Sequence, residues 1–173
     1  TLECEPERQG GTLAMGMDWG LETFATCVDA DGLTHSVANP RFMDKPQRKK
    51  LKLLQQAVSR KSNKRSNRRR KAVKLLSTEC RKIANRRKDF LHQTSADLVA
   101  KYGLIASEGL NVKGMTASGG AYKKGLNRSI LDTAPSTFLN LLKTKAEEAG
   151  SMWVEVPTRR VKPSQTCHRC GVQ

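Results

Sequence analysis

Between Lys45 and Lys88 the chain carries 19 of its 32 lysine and arginine residues against a single acid, Glu79. A stretch of charge +18 cannot line a core, and left unpaired it repels itself. It must therefore form an exposed device, and its natural partner is a polyanion, because each cation that neutralises a phosphate releases condensed counterions. A solvated helix face and a segment for an acidic membrane surface are the weaker alternatives. The other 129 residues sum to about −2, so the basicity is local, set on a nearly neutral scaffold.

At 173 residues the scaffold is long enough for one real hydrophobic core. No run of 18 apolar residues and no amino-terminal signal pattern occurs, which makes a soluble intracellular protein without membrane association the expectation. Cys4, Cys27, Cys80, Cys167 and Cys170 are few, odd in number and mostly scattered, unlike a secreted disulfide framework. A cytoplasmic setting follows. The first residue is Thr1 and not methionine, which suggests a processed or excised segment.

Thr12 to Asp18 reads as a strand entering a core, and ETFATCVDADG as a second strand ending in the hairpin signal Asp31-Gly32. Leu33 to Ala38 gives a third, so the amino-terminal part predicts an antiparallel meander. The period then changes. Leu51, Leu54 and Val58 mark one helix, and Val73, Leu76, Cys80, Ile83, Phe90, Leu91, Leu98 and Val99 a long second one, broken where Arg87 falls on the stripe. Ser59 to Asn67 is the turn of this helical hairpin. LIAS before Glu108 predicts a buried strand, and Gly114 to Gly125 a loop with a possible lid role. Asp132 or Thr133 is placed to cap a helix with Pro135 in its first turn, and Met152 to Val156 forms a last strand. The expected class is α/β, a mixed sheet antiparallel at one edge and parallel in the middle.

Asp18 and Glu108 each end an apolar strand, in GMDWG and IASEGL. A carboxylate there costs desolvation unless it is paired with a cation. Two on neighbouring strands repel, and divalent ions, bound by oxygen ligands as magnesium is, resolve that repulsion. Read singly, Asp18 can equally be a turn cap and Glu108 a strand end facing solvent. The +18 hairpin lying between them in sequence favours a nuclease, which needs both a polyanion grip and a metal-holding acid cluster.

Taken in order, GMDWGLETFAT, NPRF, IANRRKDFLHQTSADLV, IASEGLNVKGM and PSQTCHRCG resemble the TnpB family of transposon-encoded RNA-guided nucleases, relatives of the type V CRISPR effectors. The resemblance runs from about Met15 to Gly171. It implies an RNase H-like, RuvC-type nuclease domain over residues 1–162, with the basic hairpin at 45–102 as an insertion and the start of a zinc segment at 163–173. It implies Asp18 and Glu108 as catalytic ligands of two Mg2+ ions, and guide RNA and target DNA as partners, in a prokaryotic, nucleoid-associated setting. It also makes Cys167 and Cys170 half of a structural Zn2+ site. In the family pattern a second C-x-x-C and a third catalytic aspartate come later. This sequence has neither, so the expectation is an internal slice of a longer polypeptide, inactive alone.

Two cysteines are half the tetrahedral set that structural zinc takes, and a redox pair belongs at the start of a βαβ unit. Cys27 in a strand and Cys80 on the helical seam read as small core residues. Lys61, Lys64, Arg65, Arg68, Arg69 and Arg70 cluster at and beyond the turn, and read as contacts to the backbone of a heteroduplex or of the strand to be cut. Lys113, Arg159 and Arg160 are further candidates. The rival readings are a TnpB-like repressor that binds without cutting, and a basic RNA-binding or ribosome-associated protein.

Overall fold

Among the described residues five strands, β1 (Leu13–Trp19), β2 (Thr23–Asp29), β3 (Thr34–Ala38), β4 (Tyr102–Glu108) and β5 (Met152–Val156), form one mixed sheet in the order β3-β2-β1-β4-β5. The computed structural model describes residues 9–117, 119–121 and 123–157, and the described residues fall into two compact units. The first unit joins Thr1–Asn39 to His92–Gln173, and the second is Pro40–Leu91.

In the first unit β1 (Leu13–Trp19), β2 (Thr23–Asp29) and β3 (Thr34–Ala38) are the predicted antiparallel meander. Its second turn is Asp29 to Gly32. Gly32 takes a φ of +80°, which glycine adopts freely, Gly32 N donates to Asp29 O at 3.0 Å, and Leu33 N donates to Asp29 Oδ1 at 2.9 Å. β4 (Tyr102–Glu108) and β5 (Met152–Val156) then add parallel to β1. Side chains alternate as the pleat requires. Met15 and Met17 of β1 are buried with Cys27 of β2 and Ile105 and Ser107 of β4, while Gly16 and Asp18 are exposed on the opposite face. The core gathers these residues with Phe138, Leu142 and Ala146, and Phe24 meets the Phe138 ring edge-on at 4.7 Å.

Between β4 and β5, α3 (Val112–Met115) and α4 (Lys123–Thr133) overlap the two ends of the glycine-rich stretch Gly114 to Gly125, whose described middle residues lie outside helix, and α5 (Pro135–Glu148) follows. Asn127 Nδ2 donates to Thr116 O at 3.0 Å and ties the intervening turn to α4. The cap of α5 also differs from expectation. Thr133 Oγ1 turns back to Ile130 O at 2.8 Å and finishes α4, so the N-cap falls on Ala134, in the left-handed region at φ 48° with no side-chain cap bond.

The second unit contains α1 (Lys45–Ser59) and the amino-terminal part of α2 (Asn67–Lys101), whose last turns belong to the first unit. Asp44 caps α1 by accepting Gln47 N at 2.8 Å, with Pro46 in the first turn. Leu51, Ile83 and Phe42 form the seam, with Met43, Leu76 and Phe90 packed beside them. The seam of α2 runs through Ala72, Leu76, Glu79, Ile83, Arg87 and Phe90. It shares Leu76, Ile83 and Phe90 with the predicted stripe but replaces Val73 and Cys80 by Ala72 and Glu79. Val73 is 43 % exposed and Cys80 is exposed, so Cys80 is no core residue. The break at Arg87 is filled in its own way: its guanidinium stacks over the Phe42 ring, 5.6 Å from the centroid.

Glu79, the one acid of the basic stretch, is the clamp between the helices. Lys50 Nζ lies 2.8 Å from one carboxylate oxygen, and Gln47 Nε2 donates to the other at 2.9 Å. The Lys50 hydrogen bond first, then the one from Gln47, hold this carboxyl below its ordinary range. A carboxyl more acidic in the folded than in the unfolded state contributes stability above its unfolded pKa, about 4.3, and loses it as pH falls through the lower folded value. Urea unfolding should therefore show stability falling more steeply below about pH 4 in the parent than in Glu79→Gln. Parallel pH profiles for the two would rule out the clamp.

Candidate active site

The parallel register of β1 and β4 aligns Met15 with Ile105, Gly16 with Ala106 and Met17 with Ser107. One residue further along both strands are Asp18 and Glu108, at their carboxyl ends. Both alternate away from the buried methionines and Ser107, so they stand side by side on the open face of the sheet, beyond Gly16 and Ala106. On the other flank Asp18 pairs with Thr26 of β2. Neither carboxylate has an ion-pair partner among the described residues.

Neighbouring strands lie about 4.8 Å apart. Two carboxylates at such a spacing repel by about 1 kcal/mol in water and about 3 kcal/mol at an effective dielectric of 20. A pair of oxygen-donor groups, unpaired with any lysine or arginine among the described residues, has the donor chemistry that a hard divalent cation takes. Among the described residues no three histidine, cysteine, aspartate or glutamate side chains gather as a metal cage.

Two residues beside the pair along the chain or sheet, both alternating to the opposite face, were not anticipated. A Cβ on Gly109 would stand 2.4 Å from Glu155 Oε1, so the Glu155 carboxylate of β5 lies against the chain just after Glu108. Trp19, next to Asp18, carries a buried indole N–H with no hydrogen-bond partner. In the sequence the one signal for Glu155 is an acid near the end of a parallel strand. Nothing marks the Trp19 nitrogen.

At the hairpin turn, Lys64, Arg65, Arg68 and Arg70 are exposed. Lys61 and Arg69 are half-buried and committed to the turn itself. Arg69 Nη1 donates to Val58 O at 2.9 Å and Lys61 O at 2.8 Å, and Lys61 Nζ donates to Ala57 O at 2.7 Å. They add side-chain hydrogen bonds to carbonyls at and just beyond the end of α1. Lys113 is exposed on α3. Arg159, Arg160, Cys167 and Cys170 lie outside the described residues. Cys27 is fully buried, and burial pushes its thiol up to about 11. It is protonated at neutral pH and unsuited to complete a zinc site, which binds thiolate. No described helix is long and apolar enough to cross a membrane.

The chain is similar to several known proteins. A family model described as OrfB_IS605, probable transposase, matches residues 1–119. The chain is 30 % identical over 160 residues to a "Putative RNA-guided DNA endonuclease" of Streptomyces pristinaespiralis, covering 92 % of this chain and 37 % of that protein. It is 32 % identical over 170 residues to the "Putative RNA-guided DNA endonuclease InsQ" of Escherichia coli (strain K12), covering 91 % and 40 %. It thus spans about two-fifths of these relatives' length. Among solved structures, a Cas12f1-sgRNA-target DNA complex matches at a TM-score of 0.60 with 16 % identity, over 96 % of this chain and 33 % of that one. A CRISPR-Cas12f ternary complex matches at 0.56 with 15 % identity, over 97 % and 33 %. At that identity the likeness concerns the fold, and it agrees with the RuvC-type mixed sheet.

Proposed function

The chain belongs to the OrfB_IS605 family of probable transposases, and we propose that it supplies the nuclease core of an RNA-guided DNA endonuclease acting on DNA in the cytoplasm. The observation that carries this reading is the register that sets Asp18 beside Glu108, with no cation among the described residues paired to either. Asp18 and Glu108 would hold Mg2+, and the bound metal would supply water activation and neutralise charge developing on the phosphate. The two carboxylates bind and orient. The basic hairpin grips the backbone of the guide RNA–target DNA duplex through exposed residues such as Lys64, Arg65, Arg68 and Arg70, reading shape and charge and not bases. Cys167 and Cys170 are proposed as zinc ligands in a purely structural role.

The competing reading, a family member that binds under RNA guidance without cutting, requires no carboxylate pair. The presence of both Asp18 and Glu108 favours cutting. The test uses a protein that carries this chain within the length its relatives have, loaded with guide RNA. Cleavage of a matched DNA duplex is expected with Mg2+ and should vanish with EDTA while the duplex stays bound. Guided binding with no cleavage under any divalent ion would establish the rival, and cleavage that survives EDTA would remove the metal from the proposal.

A further inference from the structure

The NPRF turn ahead of α1 and one residue of α2 enclose a cavity of about 230 Å3, lined by Pro40, Arg41, Phe42, Asp44, Gln47 and Arg86. All six lie in the second unit. The space is smaller than the roughly 300 Å3 at which pockets for whole small molecules begin. It suits a single chemical group.

Its charge says which group. Two guanidinium-bearing residues line it against one acid. One oxygen of that acid, Asp44, is already taken up by Gln47 N at 2.8 Å in capping α1. Gln47 in turn commits its side-chain nitrogen to Glu79. Arg86 has no hydrogen-bond or ion-pair partner among the described residues. The Phe42 wall is fixed from behind, since Arg87 stacks on its ring and Phe90 meets it edge-on at 5.8 Å. Arg41 is held at φ 47°, a left-handed backbone that residues other than glycine rarely adopt. Such strain persists only where the surroundings over-determine it, and it concentrates at binding sites.

We propose that this cavity is a phosphate subsite, in which Arg41 and Arg86 together hold one phosphodiester of a nucleic-acid strand. The planar fork of a guanidinium matches phosphate oxygens bidentately, whereas the lysines elsewhere on the hairpin act as point charges. The proposal deepens the nucleic-acid reading above and rests on it.

The test is a salt titration of binding by the 173-residue chain to two probes of arbitrary sequence, a 20-bp RNA–DNA hybrid and a 20-bp DNA duplex. Arg41→Gly removes a guanidinium at a backbone position that favours glycine, so the turn conformation itself is not strained. Arg86→Ala removes the other from an exposed helix face. Each phosphate neutralised contributes about 0.9 to the slope of log affinity against log salt. Because the two arginines share one phosphate, the double variant should lose about 0.9 of slope, not about 1.8, and bind roughly eightfold more weakly at 0.1 M salt. Arg128→Ala, on the exposed side of α4, should leave the slope in place. Loss with either probe supports the subsite, and the probe that shows it identifies the source of the phosphate. An unchanged slope, or a loss of about 1.8, overturns the shared pocket while the nucleic-acid reading stands. A parent chain that binds neither probe overturns both.

Discussion

Asp18→Ala is expected to lower guided DNA cleavage by more than about 100-fold, because even losing a partner that only orients a metal ligand costs 10- to 100-fold. Asp18 is exposed at the end of β1 and contributes nothing to the core, so the substitution should not unfold the protein. It should do the opposite. Without metal, removing one of two adjacent exposed carboxylates relieves their mutual repulsion, about 1 kcal/mol at close approach in water. For a chain of this size each 1 kcal/mol moves the melting temperature by about 2–4 °C. The variant should therefore melt higher than the parent in EDTA, and Mg2+ should raise the melting temperature of the parent more than that of the variant. A residue with a merely structural role would give the reverse, a lower melting temperature and no change in the response to Mg2+. Cleavage at parental rate by Asp18→Ala would end the assignment of this carboxylate.

The pairing of Asp18 with Glu108 was half readable from the residues. Each acid ends an apolar run, which marks it as unusual, and the +18 insertion between them points to a polyanionic partner. Register is another matter. It depends on how two strands separated by the whole hairpin slide against one another, and a slip of one residue would send Glu108 to the buried face. Met17 opposite Ser107 is the fact that settles it, and no local pattern contains that fact.

The hairpin teaches a related lesson. Apolar periodicity pointed to Val73 and Cys80, yet Ala72 and Glu79 hold those turns of the seam. A two-helix hairpin has a narrow seam, and two partners on α1, Lys50 and Gln47, make an acid a better occupant than a thiol. The residue pattern cannot show those partners. The same holds for the NPRF turn, where an arginine in a left-handed conformation and an aromatic ring under Arg87 only become a cavity once α1 and α2 have paired. Charge and strand alternation are properties of a segment and could be read directly. Seam choice, register and pocket are properties of pairs of segments.

Gly103→Ala and Gly11→Ala should each destabilise the protein by about 3 kcal/mol or more, at the upper end of what overpacking costs. The two glycines interlock where the chain before β1 crosses the junction of α2 and β4. Gly10 N donates to Ala149 O and Gly11 N to Val99 O, both at 3.0 Å, which pins the amino-terminal segment down at two points. A Cβ on Gly103 would stand 2.2 Å from Gly11 O, and one on Gly11 would stand 2.0 Å from both C and O of Lys101. These are backbone atoms, with no flexible side chain to swing aside, so relief requires breaking the hydrogen bonds or moving β4. Moving β4 shifts Glu108, the last residue of that strand, against Asp18. The cost is a large share of the 5–15 kcal/mol that holds a domain together, and it should lower the melting temperature by roughly 6–12 °C. Gly16→Ala is the matched control, because a Cβ there meets nothing within 4 Å on the open face of β1. Its thermal transition should stay within a few degrees of the parent, as expected for exposed substitutions of about 0.5 kcal/mol. If Gly103→Ala melted with Gly16→Ala, the crossing would not be the close contact that these distances describe.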